Sequence, residues 1–478
     1  MSNKGKAIKG GIWSTAATVL TTILQFGQIA ILARMLTPAA FGVVSICTLV
    51  TTFFSVFVNL GFSNSIIYKQ ESNAKTLSTL YYLNLLLGVL AFTLIYFSSP
   101  LIVDFYHEPK LTKVVRLSSL LFLIIYFGQI YSFLLQKELR FKAIALIDIV
   151  GNVVGTAATV LLAYLGYEEL SLIYGGLALH TTRTLLQVFF GRKLFSPTLH
   201  FDLSGVKDHL RFGAFNLGEG VVSFIQNNSD NILIGGMLGV KALGYYTLAL
   251  QLAIFPVTKL NPIILQVAYP IIAKMKDDPQ NLKNSYLKIL DFLIFLNLPL
   301  LAGLFITAES IVPLLYGPGW ESTFPLIKIF VVISFFSCIN HPLFTLVYSK
   351  GKPNILFYLN LITLVVKLPL LYILGKYWQV TGIAVAYLLA TLVYFVLNFC
   401  IVHSLIGSFM KPFLKNAALP VAFCLLMVAV ITAYKHFVGY SGMANTIAEI
   451  ALGGIVYVGL ALTFKFSPTE LRSLKASL

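Results

Sequence analysis

Long apolar stretches, separated by a few polar positions, fill the chain almost from end to end. They fall at 10–34, 40–66, 78–99, 114–136, 143–166, 169–190, 211–236, 242–270, 286–308, 322–348, 354–375, 380–405, 413–434 and 445–466. The hydrocarbon core of a bilayer is about 30 Å thick and takes ~20 residues of helix to cross. Lipid offers no partner to a backbone N–H or C=O, so such stretches must pair their own backbone groups as helices. The pattern predicts an all-α polytopic membrane protein with about fourteen transmembrane helices. The longest polar breaks lie near 99–113, 191–210 and 271–285, too short for a soluble domain.

Charge then sets the topology. Only 11% of the 478 residues are charged, against ~25% in an ordinary soluble domain. Lys and Arg outnumber Asp and Glu by 34 to 18. In a soluble chain that surplus would suggest nucleic acid, but no basic run is interleaved with aromatics as single-strand binders require. Its natural place is the cytoplasmic loops. With the N-terminus inside, alternate loops hold Lys4, Lys6, Lys9, then Lys69, Lys75, then Lys137, Arg140, Lys142, then Arg192, Lys193, Lys207, Arg211 and so on, whereas the outer loops are poor in cations. Both termini are therefore expected in the cytoplasm. The basic N-terminus and first apolar run resemble a signal peptide, but without a small-residue cleavage site they read as a retained first helix. Trp13 is expected to anchor at the inner face, and Trp320 and Trp378 at the outer. Cys47, Cys338, Cys400 and Cys424 all lie in apolar stretches without metal-ligand spacing, so they are expected to be buried apolar residues. No Walker glycine-lysine loop is present. The expectation is a chain with no nucleotide, no cofactor, no metal and no catalytic residue.

The chain also repeats itself at a shift of 202 residues. Met35-Leu36-Thr37-Pro38-Ala39-Ala40-Phe41-Gly42 aligns without a gap to Met237-Leu238-Gly239-Val240-Lys241-Ala242-Leu243-Gly244, and the same shift pairs Asn59 with Asn261. Six spans lie in each repeat. Six is even, so both copies run the same way through the membrane, as parallel repeats do. The expected organisation is an N-lobe at 1–190, a cytoplasmic link at 191–210, a C-lobe at 211–405, and at 406–478 two further helices and a tail.

Ionisable groups inside the spans carry the chemistry. Arg183, Lys259, Lys328 and Lys367 lie within apolar stretches, where an ionised side chain costs ~2.5–3.5 kcal/mol or more to insert. They are expected to face a wet passage. For Lys328, near the outer end, snorkelling toward the interface is the alternative. In the seventh span Asn216, Glu219, Ser223, Gln226 and Asp230 are spaced 3, 4, 3 and 4 and so share one helical face. Ser223 and Gln226 suit either a cavity wall or interhelical hydrogen bonds. Glu219 calls for a basic partner, a cation or a proton, and Arg183 is the candidate partner. The matching face of the first span is Ser14, Thr18, Thr21, Gln25 and Gln28, polar but uncharged. Asp148, Asp291 and Glu449 are read as first-turn carboxylates complementing helix dipoles. Pro256, Pro262 and Pro270 are expected to break the eighth span, and His341-Pro342 the tenth.

The loop Arg34-Met35-Leu36-Thr37-Pro38-Ala39-Ala40-Phe41-Gly42, with Asp230-Asn231-Ile232-Leu233-Ile234-Gly235, Leu243-Gly244-Tyr245-Tyr246 and Leu314-Leu315-Tyr316-Gly317-Pro318-Gly319-Trp320, resembles the polysaccharide-transporter flippases. These belong to the multidrug/oligosaccharidyl-lipid/polysaccharide exporter (MOP) superfamily, so a MATE-like fold is implied. The resemblance implies a cargo of oligosaccharide on undecaprenyl pyrophosphate, moved from the cytoplasmic to the outer leaflet of a bacterial inner membrane. Membrane lipid and a polysaccharide polymerase are the partners it implies. Anionic cargo suits Arg183, Lys259, Lys328 and Lys367, with Arg34 at the outer mouth, while Asn216, Gln226, Gln25 and Gln28 suit sugar hydroxyls. Alternating access around a central cationic cavity is implied, with Glu219 or Asp230 coupling to an ion or proton gradient. Two other readings stay open: a drug or cation antiporter of the same fold, which would favour carboxylates over these lysines, and a membrane glycosyltransferase or polymerase, which would need a larger outer loop.

Overall fold

The computed structural model describes residues 3–58, 66, 73–202, 207–352, 354–439 and 442–465, except for the side chains of 3–10, 12, 207–216 and 219. The described residues are almost entirely helical. In chain order the helices are α1 (Asn3–Met35), α2 (Pro38–Val58), α3 (Ala74–Tyr106), α4 (Leu111–Lys137), α5 (Phe141–Tyr164) and α6 (Glu168–Gly191). Helical residues Lys207–Lys274 break at Gly239 (φ 83°), giving α7 (207–238) and α8 (240–274). Then follow α9 (Pro279–Tyr316) and α10 (Thr323–Ser349), the latter interrupted by a turn at His341-Pro342. Residues Asn354–Ile406 break at Gln379 (φ 51°) into α11 (354–378) and α12 (380–406), before α13 (Met410–Phe437) and α14 (Met443–Phe464).

Both breaks reverse the chain. A Cβ on Gly382 would lie 1.9 Å from the Leu374 carbonyl oxygen, and one on Gly235 would lie 3.5 Å from Leu243 Cδ2. Residues eight apart in a straight helix are about 12 Å apart, so only a hairpin brings them into contact.

Among the described residues eleven helical segments are long and apolar enough to cross a membrane, against about fourteen crossings expected from the sequence. Two of the eleven each contain a hairpin, and α6 carries Glu168, Glu169, His180 and Arg183, which keep it out of the apolar set. Their outer surfaces are greasy: Leu425, Val365 and Ile455 are each more than 60% exposed. In water such patches would aggregate, whereas in lipid they are the solvated face.

The chain divides into two compact units, Met1–Gly244 and Tyr245–Leu478. In the first, α5 packs on α1 and α6, and α4 on α3 and α6. A cluster of Leu77, Leu80, Tyr81, Ile130, Tyr131, Leu134 and Phe195 ties α3 and α4 to the segment after α6. Here the repeat becomes visible in contacts. A Cβ on Gly42 would lie 1.8 Å from the Val240 carbonyl oxygen, and one on Gly244 would lie 1.8 Å from the Pro38 carbonyl oxygen. The 202-residue shift carries Pro38 to Val240 and Gly42 to Gly244, so the two loops touch reciprocally, as the two sides of a two-fold interface do.

In the second unit α9 packs on α10, α13 and α14, and α10 on α12. Tyr286, Leu290, Leu343, Leu346, Phe399 and Phe409 form one core, and Phe423, Met427, Ile431 and Tyr457 another under α14. Pro256, Pro262 and Pro270 lie within α8 and do not break it as expected: within 207–274 the departure from helical backbone is at Gly239, 17 residues before Pro256. His341-Pro342 does interrupt α10. Trp378 is exposed, as an interface anchor requires, but Trp320 is buried edge-on against Tyr245 and Tyr316, so it is a core residue rather than an anchor. Cys47, Cys338 and Cys424 are buried as expected, while Cys400 is exposed on α12.

Candidate functional site

A polar pocket opens in the first unit between α1, α5 and α6, with a cavity of about 110 Å³. Its walls include Ser14, Thr18, Thr21 and Gln25 of α1, Asp148 and Asn152 of α5, and Arg183 of α6. The sequence explains why these three helices meet so closely. On α5, Gly151, Gly155 and Thr159 lie four residues apart, one above the other. A Cβ on Gly155 would lie 2.6 Å from Leu179 Cβ, and one on Gly175 of α6 would lie 1.8 Å from Thr159 Oγ1. Small residues at this spacing let two membrane helices approach backbone to backbone. Gly151 then leaves the groove in which the Arg183 stem lies, since a Cβ there would lie 2.6 Å from Arg183 Cγ.

Arg183 Nη2 donates to Asp148 Oδ1 at 3.0 Å, with both side chains part-exposed to the pocket. Arg183 Nε is buried and has no acceptor among the described residues. Asn152 Nδ2 donates to the Asp148 carbonyl at 2.8 Å, and Gln25 Nε2 donates to Asn152 Oδ1 at 3.3 Å. One turn further along, Thr156 Oγ1 donates to Gln28 Oε1 at 3.0 Å. One ion pair is thus framed by neutral hydroxyls and amides, a set able to bind an anion beside sugar hydroxyls.

The structure brings Arg183 and Gln25 together and adds Asp148, while Gln28 pairs with Thr156 one turn away. The dipole reading of Asp148 fails because α5 starts at Phe141, which puts Asp148 in the second turn rather than the first. The same correction applies to Asp291 and Glu449. Their helices begin well before them, and each is paired, Asp291 with Lys465 at 2.8 Å and the fully buried Glu449 with Lys435 at 3.7 Å. The side chains of Asn216 and Glu219 lie outside the described residues. Asp230 is buried on α7, Gln226 is half-buried there, and Arg34 is exposed at the end of α1.

In the second unit Lys367 is buried, with Nζ 4.3 Å from the Tyr387 ring centre, so the ammonium sits between α11 and α12 as a cation–π pair. Lys259 is half-buried on α8, 5.9 Å from the Phe255 ring. Lys328 Nζ donates to Glu309 at 2.6 Å, and both are well exposed, the arrangement that snorkelling to an interface produces. The same unit holds a buried amide network. Asn297 Nδ2 donates to Asn261 Oδ1 at 3.1 Å, and Asn261 Nδ2 meets the Cys338 carbonyl at 3.3 Å and His341 Nδ1 at 3.0 Å. It holds α8, α9 and α10 together at the turn in α10. No group of His, Cys, Asp and Glu able to hold a metal occurs among the described residues.

Residues 31–325 match the model of a family described as polysaccharide biosynthesis protein. This chain belongs to that family. The lipopolysaccharide biosynthesis protein WzxC of Escherichia coli is 31% identical over 91% of this chain and 88% of its own length. The teichuronic acid biosynthesis protein TuaB of Bacillus subtilis is 31% identical over 95% and 94%. The succinoglycan biosynthesis transport protein ExoT of Rhizobium meliloti is 26% identical over 94% and 91%. Among solved structures, the lipid II flippase MurJ in an inward closed conformation superposes with a TM-score of 0.76 at 17% identity, covering 95% of this chain and 99% of that one. An inward-facing MATE multidrug transporter of the MOP superfamily gives 0.59 at 16%, covering 82% and 98%. The chain thus belongs to a family of polysaccharide biosynthesis proteins, and its fold is that of MurJ and the MATE transporters.

Proposed function

We propose that this protein moves an oligosaccharide linked to undecaprenyl pyrophosphate from the cytoplasmic to the outer leaflet of a bacterial inner membrane, for assembly of a surface polysaccharide. The observation that carries the reading is likeness along nearly the whole chain to proteins named for lipopolysaccharide, teichuronic acid and succinoglycan biosynthesis. The chemistry of the spans supports it: Arg183, Lys259 and Lys367 are cations inside helices, suited to a pyrophosphate or an acidic sugar rather than to a cationic drug. Gln25 in the Arg183 pocket and Gln28 one turn further along α1, with Asn216 and Gln226 on α7, supply amides for sugar hydroxyls. Arg34 stands at the outer end of α1, and Lys328 at the outer end of α10. Transport proceeds by alternating access, with Glu219 or Asp230 taking up the coupling ion or proton. Both termini lie in the cytoplasm, by the bias of loop charge. A polysaccharide polymerase is the partner that would remove the product. The protein acts as a transporter and makes no glycosidic bond.

The test is a proteoliposome assay that follows a lipid-linked oligosaccharide between leaflets. The wild type should flip it, while Lys259→Ala and Lys367→Ala should each reduce flipping at least tenfold at equal protein levels. An inert wild type, or lysine variants as fast as wild type, would overturn the assignment.

A further inference from the structure

Asp148 plays no part in the reading above, yet it occupies Arg183. The pair is 3.0 Å long and lies in an open pocket, so it is neither sealed in the core nor free in water. Three features distinguish it from a structural bridge. First, Arg183 keeps one guanidinium N–H, at Nε, without an acceptor among the described residues. Second, the remaining polar wall is neutral: Ser14, Thr18, Thr21 and Gln25 face the pair from α1, and Asn152 from α5 itself. Among the described residues of that wall no second cation holds Asp148 in place, and no second carboxylate competes for Arg183. Third, the groove at Gly151 fixes the Arg183 stem while leaving its head at the pocket. A ligand oxygen arriving there meets a guanidinium whose one counter-ion among the described residues is a short carboxylate that can rotate away.

We infer that Asp148 is an exchangeable counter-ion, a positioning residue that holds Arg183 in the empty carrier and yields it to an anionic oxygen of the cargo, phosphate or carboxylate. The inference rests on the flippase reading and deepens it. Two physical consequences follow. The empty carrier never exposes an uncompensated cation within the membrane, where it would be costly. Cargo binding is also weaker than Arg183 alone would give, because the intramolecular carboxylate must be displaced. Carriers need this, since a cargo held as tightly as the site allows would not leave.

The experiment measures binding of three detergent-like probes to the purified full chain: dodecyl phosphate, dodecyl glucuronide and neutral dodecyl maltoside. Asp148→Asn should bind the anionic probes about fivefold more tightly, the scale of a part-exposed ion pair, and the maltoside as wild type does. Asp148→Ser is the second neutral variant, should the amide fold poorly, and Asp148→Glu should restore wild-type affinity. Arg183→Gln should bring anionic probes down to the maltoside level. Whichever anion responds more strongly, phosphate or carboxylate, identifies the cargo group that Arg183 takes. In the flipping assay Asp148→Asn should lower KM and kcat together, because release becomes slow. A merely structural Asp148 would instead weaken every probe and lower kcat at unchanged or raised KM. Weaker or unchanged anion binding in both neutral variants, or full affinity in Arg183→Gln, overturns the inference. A wild type that flips its cargo beside such a result would leave the flippase reading standing. Tightened binding in a wild type that flips nothing would overturn that reading and leave the anion site standing.

Discussion

Alanine at Gly42 or Gly244 tests the reciprocal loop contact directly. Each added Cβ would sit 1.8 Å from a backbone carbonyl oxygen, that of Val240 or of Pro38, where ordinary contact begins at 3.4 Å. The two backbones must therefore part by about 1.6 Å, and neither obstacle is a side chain that can swing aside. Overpacking of this kind costs ~1–3 kcal/mol. Against that, alanine in a helix interior gains up to about 1 kcal/mol over glycine, and both positions are helical. The net expectation is a loss of ~1–2 kcal/mol for each variant. The two losses should be similar because the geometry is the same on both sides. The double variant is the sharper measurement. Once one methyl has parted the loops, the second finds room already made, so the pair should cost little more than either alone, with a coupling of about 1–2 kcal/mol. Thermal unfolding of the four proteins in one detergent gives all the terms. A neutral or stabilising single variant, or two losses that simply add, would show that the loops do not meet in this way.

Two further outcomes concern the second unit. Lys435→Met strands the fully buried Glu449 without its cation and should cost ~3–5 kcal/mol; adding Glu449→Gln should recover most of it in the same unfolding assay, and a silent Lys435→Met would contradict the pairing. At the start of α9, in the polar break between α8 and α9, Asp278 accepts from Asn281 N at 3.1 Å, and that backbone bond holds its carboxyl below the usual aspartate range. Its folded pKa is lowered, so the cap contributes above the ordinary aspartate pKa and is lost as pH falls through the folded value. Hydrogen exchange at the Asn281 amide, corrected for its intrinsic rate, should show that acid step in wild type and not in Asp278→Ala.

What was legible in the sequence is what depends on one helix at a time. Length and hydropathy place the helices because lipid forces that solution on any apolar run of sufficient length. The loop repeat was legible because the two copies retain the same glycine for the same reason, the close passage of a carbonyl. The Asp148–Arg183 pair was not, because it depends on the register between α5 and α6. A signal for that register was present in Gly151 and Gly155, four residues apart on an apolar helix beside an aspartate. Trp320 was misread for a related reason. Tryptophan near a helix end suits an interface in the absence of other information, and only the fold shows Tyr245 and Tyr316 closing over it. The pairing of Lys435 with Glu449 across α13 and α14 was hidden because spans cut to bilayer length made Glu449 a first-turn residue.

The glycine seam between α5 and α6 has a mechanical consequence. With Thr159 wedged over Gly175 and Leu179 over Gly155, the two helices cannot slide past each other without collision, so they travel as one strut. Whatever large motion the protein makes, the aspartate and the arginine ride it side by side. Any change of partner at that site is then the work of two side-chain tips turning within nanoseconds, a fast latch carried on a slow and rigid frame.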